Sequence, residues 1–283
     1  MTPLTFRHEA MATLFEIAIA GHPEAYARQA AAAAFRELDR LEGELSRYVE
    51  TSDIARANRL GAGESTRLGP DAFECLLLAA DAALATGRAF DPAYATHHGP
   101  GPITGPLPFT LDPANHTLTS TAARLHLDLG AIGKGFALDR MADVLREWSL
   151  PSGCLNSGGS TVLALEPPPA EAGWPVGIGD GTAARVLLLH HTALSGSGVA
   201  VKGTHITNPR TGADAIRTTR TWAMAASAAM ADALSTAFFV MGEPEIASFC
   251  AAHPEIGAAT TTPDGLSKGY GSLATLLSPP RQL

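Results

Sequence analysis

Cysteine is scarce in this 283-residue chain: Cys75, Cys154 and Cys250 are odd in number and far apart. That excludes a disulfide framework, and no Cys-x-x-Cys pair marks a zinc site. Positive charge is also short, with 20 Lys and Arg against 28 Asp and Glu for a net charge of −8. No basic cluster stands out, which argues against a nucleic-acid groove. Long apolar runs are missing too. The best candidate, Met224–Val240, is broken by Asp232 and small polar residues, well short of the roughly 18 uninterrupted apolar residues of a membrane span. The first residues, Met1 to Glu9, show neither a basic segment leading into an apolar run nor an early cysteine for a lipid anchor. On this reading the chain is soluble and cytoplasmic, a removed leader being the alternative. With 46% hydrophobic residues it can bury a large core, and no seam divides it, so a single domain over residues 1–283 is expected.

What is present centres on Leu127–Arg140, Leu-Asp-Leu-Gly-Ala-Ile-Gly-Lys-Gly-Phe-Ala-Leu-Asp-Arg. Leu125, Leu127 and Leu129 alternate with His126 and Asp128, the period of a half-buried strand. Leu138, Met141, Leu145 and Trp148 then recur at helical spacing. Between the two, Gly130, Gly133 and Gly135 let the backbone turn sharply and approach a ligand, at a helix N-terminus that favours an anion. An ordinary strand–turn–helix corner fits the same residues. A Walker A loop does not, because Lys134 is followed by Gly135 rather than by a hydroxyl.

Around this motif, Thr13–Ile19 reads as a strand, and Pro23-Glu24 opens a long helix that delivers Tyr48 at its end. Pro70–Thr86 reads as a second helix. Ala89-Phe90-Asp91-Pro92 fixes a carboxylate beside a proline, as a turn or as a ligand contact. His97-His98 are adjacent and lack a third ligand nearby, which favours a loop over a metal site. Cys154–Ser160 leads through a paired glycine into a strand at Thr161–Leu165, as a hairpin entry or an anion-binding turn. Trp174–Ile178, Ala184–Leu189, Thr192–Ser195 and Thr221–Ser227 are further short strands. Short strands separated by turn signals indicate an α+β class, with largely antiparallel sheets packed with helices.

Two polar constellations remain. His205 precedes an Asn-Pro turn ending at Gly212, and histidine is the side chain best suited to accept a proton near neutral pH; a surface histidine is the plain alternative. Asp232, Ser235 and Thr236 lie at i, i+3 and i+4 on an otherwise apolar helix over 228–241, so all three share one face. Their oxygens need partners there. Such a set suits Mg²⁺, which keeps positions for substrate phosphates, or it serves the helix itself through the dipole and backbone hydrogen bonds.

Taken in order, these segments resemble the ApbE family, the FAD:protein FMN transferases. The matching stretches are Met11-Ala-Thr13, Ser46-Arg-Tyr48 with Ser52, Ala89-Phe-Asp-Pro92, Leu127–Gly135, Asn156-Ser-Gly-Gly159, His205–Gly212 and Ala231–Thr236. The resemblance implies a T-fold-related architecture and FAD as bound substrate against Met11, Tyr48, Ala89, Phe90, Asp91, Asp128, Lys134 and Ile206. It further implies Mg²⁺ held by the main-chain carbonyl of Ala131 and by Asp232 and Thr236, with Ser235 adjacent. His205 becomes the base that activates a threonine or serine hydroxyl of an acceptor flavoprotein, with AMP released. Two other readings use the same site: an FAD pyrophosphatase with water as acceptor, and a non-catalytic FAD-binding protein.

The chain departs from the family pattern in several places. Phe90-Asp-Pro-Ala-Tyr-Ala95 stands where Phe-Asp-Pro-Thr-Val-Gly is common, and the segment from there to Thr121 is short. Ala12 replaces the glycine of Met-Gly-Thr, Ser160 replaces a frequent acidic residue, and Asn208 a frequent aspartate. None of these removes an implied metal ligand.

Overall fold

The computed structural model describes residues 2–96, 105–179, 184–198, 207–213, 215, 220–261 and 267–277. In chain order its elements begin with β1 (Leu4–Ala10), β2 (Thr13–Ile19), α1 (Glu24–Leu45), α2 (Asp53–Ala57), β3 (Ser65–Arg67), α3 (Pro70–Ala85), β4 (Phe109–Asp112) and β5 (Thr117–Ser120). There follow α4 (Gly133–Glu147), β6 (Gly153–Ser157), β7 (Thr161–Ala164), β8 (Trp174–Ile178), β9 (Arg185–Leu189), β10 (Thr192–Gly198) and β11 (Arg220–Ala225). The last are α5 (Ala228–Val240), α6 (Glu243–Ala252), β12 (Gly257–Thr261), β13 (Ser267–Gly271) and α7 (Ser272–Leu277). Among the described residues, no helix is long and apolar enough to cross a membrane.

The expected α+β class is what forms. Eight strands build one sheet in the order β1-β2-β6-β7-β10-β11-β12-β13, and every strand pairing is antiparallel. Side chains alternate across its two faces, as a strand's period of two requires. On one face Phe15, Ile17, Leu155 and Ala223 join α1, α3, α4 and α5 in the main core. On the other, Ala164, Leu194 and Trp222 pack against Trp174, Ile178, Leu187 and Leu189 of the β8–β9 ribbon. α5 is buried nearly all round, between the sheet and α4, which leaves no solvated side for a charged residue. Asp232 on this helix therefore has to be satisfied from within the protein.

The structure adds a strand that sequence periodicity does not mark, β1, paired with β2 through a two-residue turn that sets Ala10 opposite Thr13. Both turn residues, Met11 and Ala12, have positive φ, 49° and 57°, the pair that a type I′ hairpin needs. Ala12 thus carries a β-carbon where glycine would be unstrained, at a cost of about 1–2 kcal/mol.

One expected strand is absent. Leu125, Leu127 and Leu129 are buried and alternate with partly exposed His126 and Asp128, yet the segment joins no ladder. Its backbone is satisfied one bond at a time. Leu125 N–H donates to Leu60 O, His126 N–H to Thr96 Oγ1 and Asp128 N–H to Pro92 O. The Asn58 side-chain amide donates to Leu127 O at 2.9 Å and accepts from Leu127 N. An alternating burial pattern reports an extended chain; it does not say whether the hydrogen-bond partners are strands.

Candidate active site

The glycine-rich corner forms for a different reason from the one its spacing suggests. Gly130, Gly133 and Gly135 all lack the positive φ of a sharp glycine turn, and Gly133 and Gly135 already belong to the first turn of α4. What Gly135 supplies is close approach: a β-carbon there would lie 2.1 Å from Ala228 O. α4 and α5 touch backbone to backbone at this point. Among the described groups, the anion that the N-terminus of α4 meets is the protein's own Asp232. Gly135 N–H donates to Asp232 Oδ2 at 3.2 Å.

Asp232 is buried on α5. Lys134 Nζ lies 3.4 Å from Oδ2, while Thr161 Oγ1 and Ser195 Oγ stand 3.3 and 3.4 Å from Oδ1. Three of the four contacts fall beyond the usual hydrogen-bond range of roughly 2.7–3.2 Å and the Gly135 N–H lies at its limit, so the carboxylate is surrounded but held tightly by none of them. Hydroxyls continue outward: Ser195 Oγ is 2.9 Å from Thr161 Oγ1 and 3.2 Å from Ser235 Oγ. Ser197 Oγ is 2.8 Å from Ser235 Oγ and 3.2 Å from Thr236 Oγ1. The hydroxyl that bonds back to the helix backbone is that of Ser235, which donates to Asp232 O at 2.9 Å. The negative charge of Asp232 also helps burial to push the Cys75 thiol up, so this cysteine stays an inert thiol.

The side chains of this cluster that can ligate a cation, Thr161, Ser195, Ser197, Asp232, Ser235 and Thr236, all offer oxygen, with one carboxylate among them. Among the described residues no three His, Cys, Asp or Glu converge, so no all-protein cage exists there for a transition metal. A hard cation that shares its coordination between one or two carboxylates and substrate phosphates fits such a set. Ala131, whose carbonyl the resemblance adds, lies in the turn just ahead of α4.

A chain of contacts leads from this cluster to the other side of the corner. Lys134 Nζ also donates to Gly130 O at 2.6 Å, and Gly130 N–H donates to Asp128 Oδ1 at 2.9 Å. Asp128 Oδ2 pairs with Arg47 at 3.3 Å, and Arg47 lies over the ring of Tyr48, 4.8 Å from its centroid. Tyr48 is 80% exposed, a large ring offered to solvent. Tyr94 sits nearby, its phenol pushed up by burial and by the charge of Asp128; this is one of the residues at which the chain departs from the family pattern.

Ala89, Phe90 and Asp91 are buried, and Met11 is half-buried at the β1–β2 turn. The Asp91 carboxylate is engaged within the protein: Oδ2 accepts from Arg88 Nε at 2.9 Å and Oδ1 from Ala93 N–H at 2.8 Å. Its two oxygens therefore shape the loop, whatever the loop contacts. His205 and Ile206 lie outside the described residues, as do His97 and His98.

A second buried carboxylate supports the cluster from below. Asp139 of α4 accepts from Ala228 N–H at 2.8 Å and Ala229 N–H at 2.9 Å, capping the helix that carries Asp232. Burial pushes its carboxyl up to about 6, against the pull of those two N–H groups. A folded-state value above the unfolded value of roughly 3.9 has a definite sign. The folded state holds the proton more tightly, so this contribution to stability is complete below about pH 4 and declines as pH rises through about 6. Urea unfolding should show it: between about pH 5 and pH 7 the native chain loses on the order of 1–2 kcal/mol relative to Asp139→Asn, which has no such titration. Parallel pH profiles for the two proteins would contradict this.

The ApbE family model matches residues 11–98 and 103–260, most of the chain and every segment that builds the corner and the cluster. The chain belongs to the ApbE family. A curated relative, an FAD:protein FMN transferase from Klebsiella pneumoniae (strain 342), is 28% identical over 123 residues, which cover 39% of this chain and 37% of that protein. This chain thus matches little more than a third of the length of that relative. The flavin transferase ApbE from Vibrio cholerae superposes with a TM-score of 0.80 at 21% identity, covering 96% of this chain and 98% of the other. The apo form of the flavinyl transferase ApbE from Pseudomonas stutzeri gives 0.83 at 20% identity, covering 97% and 96%. At such identities these structures speak for the fold.

Within this ApbE fold, sequence reading overlooked Thr161 and Ser195, which face Asp232 from β7 and β10, and Ser197, which meets Ser235 and Thr236. The alternation of Ser195 and Ser197 along β10 was the available signal, since it puts both hydroxyls on one face. Arg47 was overlooked as well, although it sits beside Tyr48 in a segment that the family resemblance covers.

Proposed function

We propose that this ApbE-family chain is an FAD:protein FMN transferase, which moves FMN from FAD to a threonine or serine hydroxyl of an acceptor flavoprotein and releases AMP. The observation that carries the reading is the joining of Asp232, Lys134 and the Gly130–Asp128 corner into one contact network. Two regions 97 or 98 residues apart in sequence meet there, as binding of a pyrophosphate between them requires.

In this reading the flavin lies against Tyr48, Met11 and the Ala89–Asp91 loop, with Ile206 contributing, and Asp128 and Lys134 address its polar end. Asp232, Thr236 and the Ala131 carbonyl, with Ser235 adjacent, would hold Mg²⁺, which would supply charge neutralisation to the pyrophosphate. Lys134 has Gly130 O as a second partner, so it can turn from Asp232 when a cation shares that carboxylate. His205 takes the proton of the acceptor hydroxyl. The hydroxyl oxygen forms a bond to the phosphorus on the riboflavin side, the phosphoanhydride bond breaks, and AMP departs with the electron pair. FMN is then joined to the acceptor by a phosphoester bond. The acidic chain and the exposed Tyr48 ring agree with a flavin and protein substrate rather than a nucleic acid.

His205→Ala tests the assignment of the base. A positioned general base contributes about 10²–10⁴-fold, so transfer should fall by that much while FAD affinity, read by flavin fluorescence, stays within about twofold. A variant transferring FMN at the native rate would remove His205 from the mechanism.

A further inference from the structure

Tyr48 of the flavin wall also lines an open groove of about 660 Å³, whose other lining residues the mechanism above does not use. It is lined by the extended segment at His126 and Leu127, held by Asn58. Arg47, Arg59 and Arg124 line it as well, with Glu50 as the opposing charge. Arg47 is committed to Asp128 and Tyr48. Arg59 donates to the Glu50 backbone carbonyl, which neutralises nothing. Among the described residues, neither Arg59 nor Arg124 has a carboxylate within ion-pair distance, and both are exposed. Other arginines gather carboxylates: Arg40 meets Glu37, Glu44 and Asp71, and Arg140 meets Asp71, Glu74 and Asp143. In a chain of net charge −8, unpaired guanidinium groups gathered beside one groove make a local positive field against an acidic background.

We infer that this groove docks an acidic segment of the protein acceptor, which Arg59 and Arg124 recognise and which guides the acceptor hydroxyl toward the flavin site. The inference rests on the flavin-transfer reading for the identity of the partner. The groove shares Tyr48 with the proposed flavin wall, so a chain lying in it comes beside that wall. Its openness suits an extended peptide. Guanidinium groups match carboxylates in paired hydrogen bonds, and exposed complementary charge acts chiefly on encounter and selectivity. A single-stranded nucleic acid would need successive aromatic platforms along its backbone, whereas the groove's lining offers the Tyr48 phenol and the His126 imidazole, with the Glu50 carboxylate opposed to phosphate.

The experiment uses the full chain and two fluorescein-labelled peptides, each with one threonine, flanked in one by Asp and Glu and in the other by Lys. Anisotropy is read with and without FAD. The acidic peptide should bind, and the basic one should not. The double variant Arg59→Glu/Arg124→Glu should weaken acidic-peptide binding about tenfold or more, and raising salt from about 50 mM to about 300 mM should weaken it similarly in the native chain. FAD affinity and FAD cleavage, measured on the same proteins, should be unchanged in the double variant. Equal peptide binding by native and double variant would overturn the inference. So would no peptide binding, tighter binding of a single-stranded oligonucleotide, or a loss of FAD affinity in the double variant, which would give the groove to FAD itself. Failure of the flavin-transfer reading shows separately, as a native chain that binds the acidic peptide but leaves FAD intact when Mg²⁺ is present.

Discussion

Replacing Asp232 by asparagine is expected to lower Mg²⁺-dependent AMP release from FAD by at least about 10²-fold. The carboxylate lies buried at the contact of α4 and α5, and its four neighbours stand at 3.2 to 3.4 Å. Asparagine keeps the volume, its side-chain oxygen can still accept from Gly135 N–H, and its NH2 can donate to the Thr161 hydroxyl, so the fold survives. It brings no charge to a cation, and it leaves Lys134 without its carboxylate partner. Alanine removes the acceptors as well and leaves the Gly135 N–H and the hydroxyls of Thr161 and Ser195 short of one, so Asp232→Ala should lose both activity and stability. The asparagine variant separates the two effects. Melting temperature close to native with AMP release lost supports a metal ligand; native Mg²⁺-dependent turnover in Asp232→Asn would exclude it.

The largest stability effect is expected at Arg88→Ala. Arg88 and Asp91 form an ion pair whose side chains are 10% and 0% exposed, and Arg88 also donates to the carbonyls of Gly105 and Pro106 at 3.0 Å each. Removing the guanidinium leaves the Asp91 carboxylate buried with Ala93 N–H as its remaining donor. Breaking one side of such a pair costs about 3–5 kcal/mol, which urea unfolding can read. The double replacement Arg88→Met/Asp91→Leu removes both charges and should recover much of the loss. A loss below about 1 kcal/mol in Arg88→Ala would show that the pair is solvated after all. Because the Ala89–Asp91 loop belongs to the proposed flavin wall, weakened FAD binding should accompany the loss of stability.

Much of the fold was legible because burial leaves periodic traces. The strand Thr13–Ile19, the helix opening at Pro23 and the helix over 228–241 follow directly from spacing and caps, and the observed elements start or end within a residue or two of them. β1 was not legible: Leu4–Ala10 alternates half-buried and exposed residues at a sheet edge, and its hairpin depends on positive φ at Met11 and Ala12, which do not advertise a turn as Asn-Gly would. Leu125–Leu129 carried the right burial pattern and the wrong inference, because backbone partners can come from Asn58 and Thr96 as readily as from a strand.

The candidate site divides in the same way. Asp232, Ser235 and Thr236 could be grouped from helical spacing alone, since three oxygens on one face of an apolar helix demand partners. Their meeting with Lys134 could not, for it depends on α4 and α5 touching at Gly135. The glycine was visible, but its role as a contact rather than a turn becomes clear only when Ala228 O is seen where its β-carbon would be. Asp91 shows the reverse case: its neighbour Arg88 was in plain view three residues away, and only burial reveals that the two are bonded to each other.

The central claim is tested most directly by incubating the chain with FAD, Mg²⁺ and a flavoprotein that carries an exposed threonine or serine acceptor, and by measuring free AMP and the intact mass of the acceptor together. Flavin transfer predicts AMP and FMN-bearing acceptor in equal amounts, both lost on chelation of the metal. AMP accompanied by free FMN with an unmodified acceptor would make the chain an FAD pyrophosphatase, and intact FAD throughout would leave only binding; either result contradicts the account.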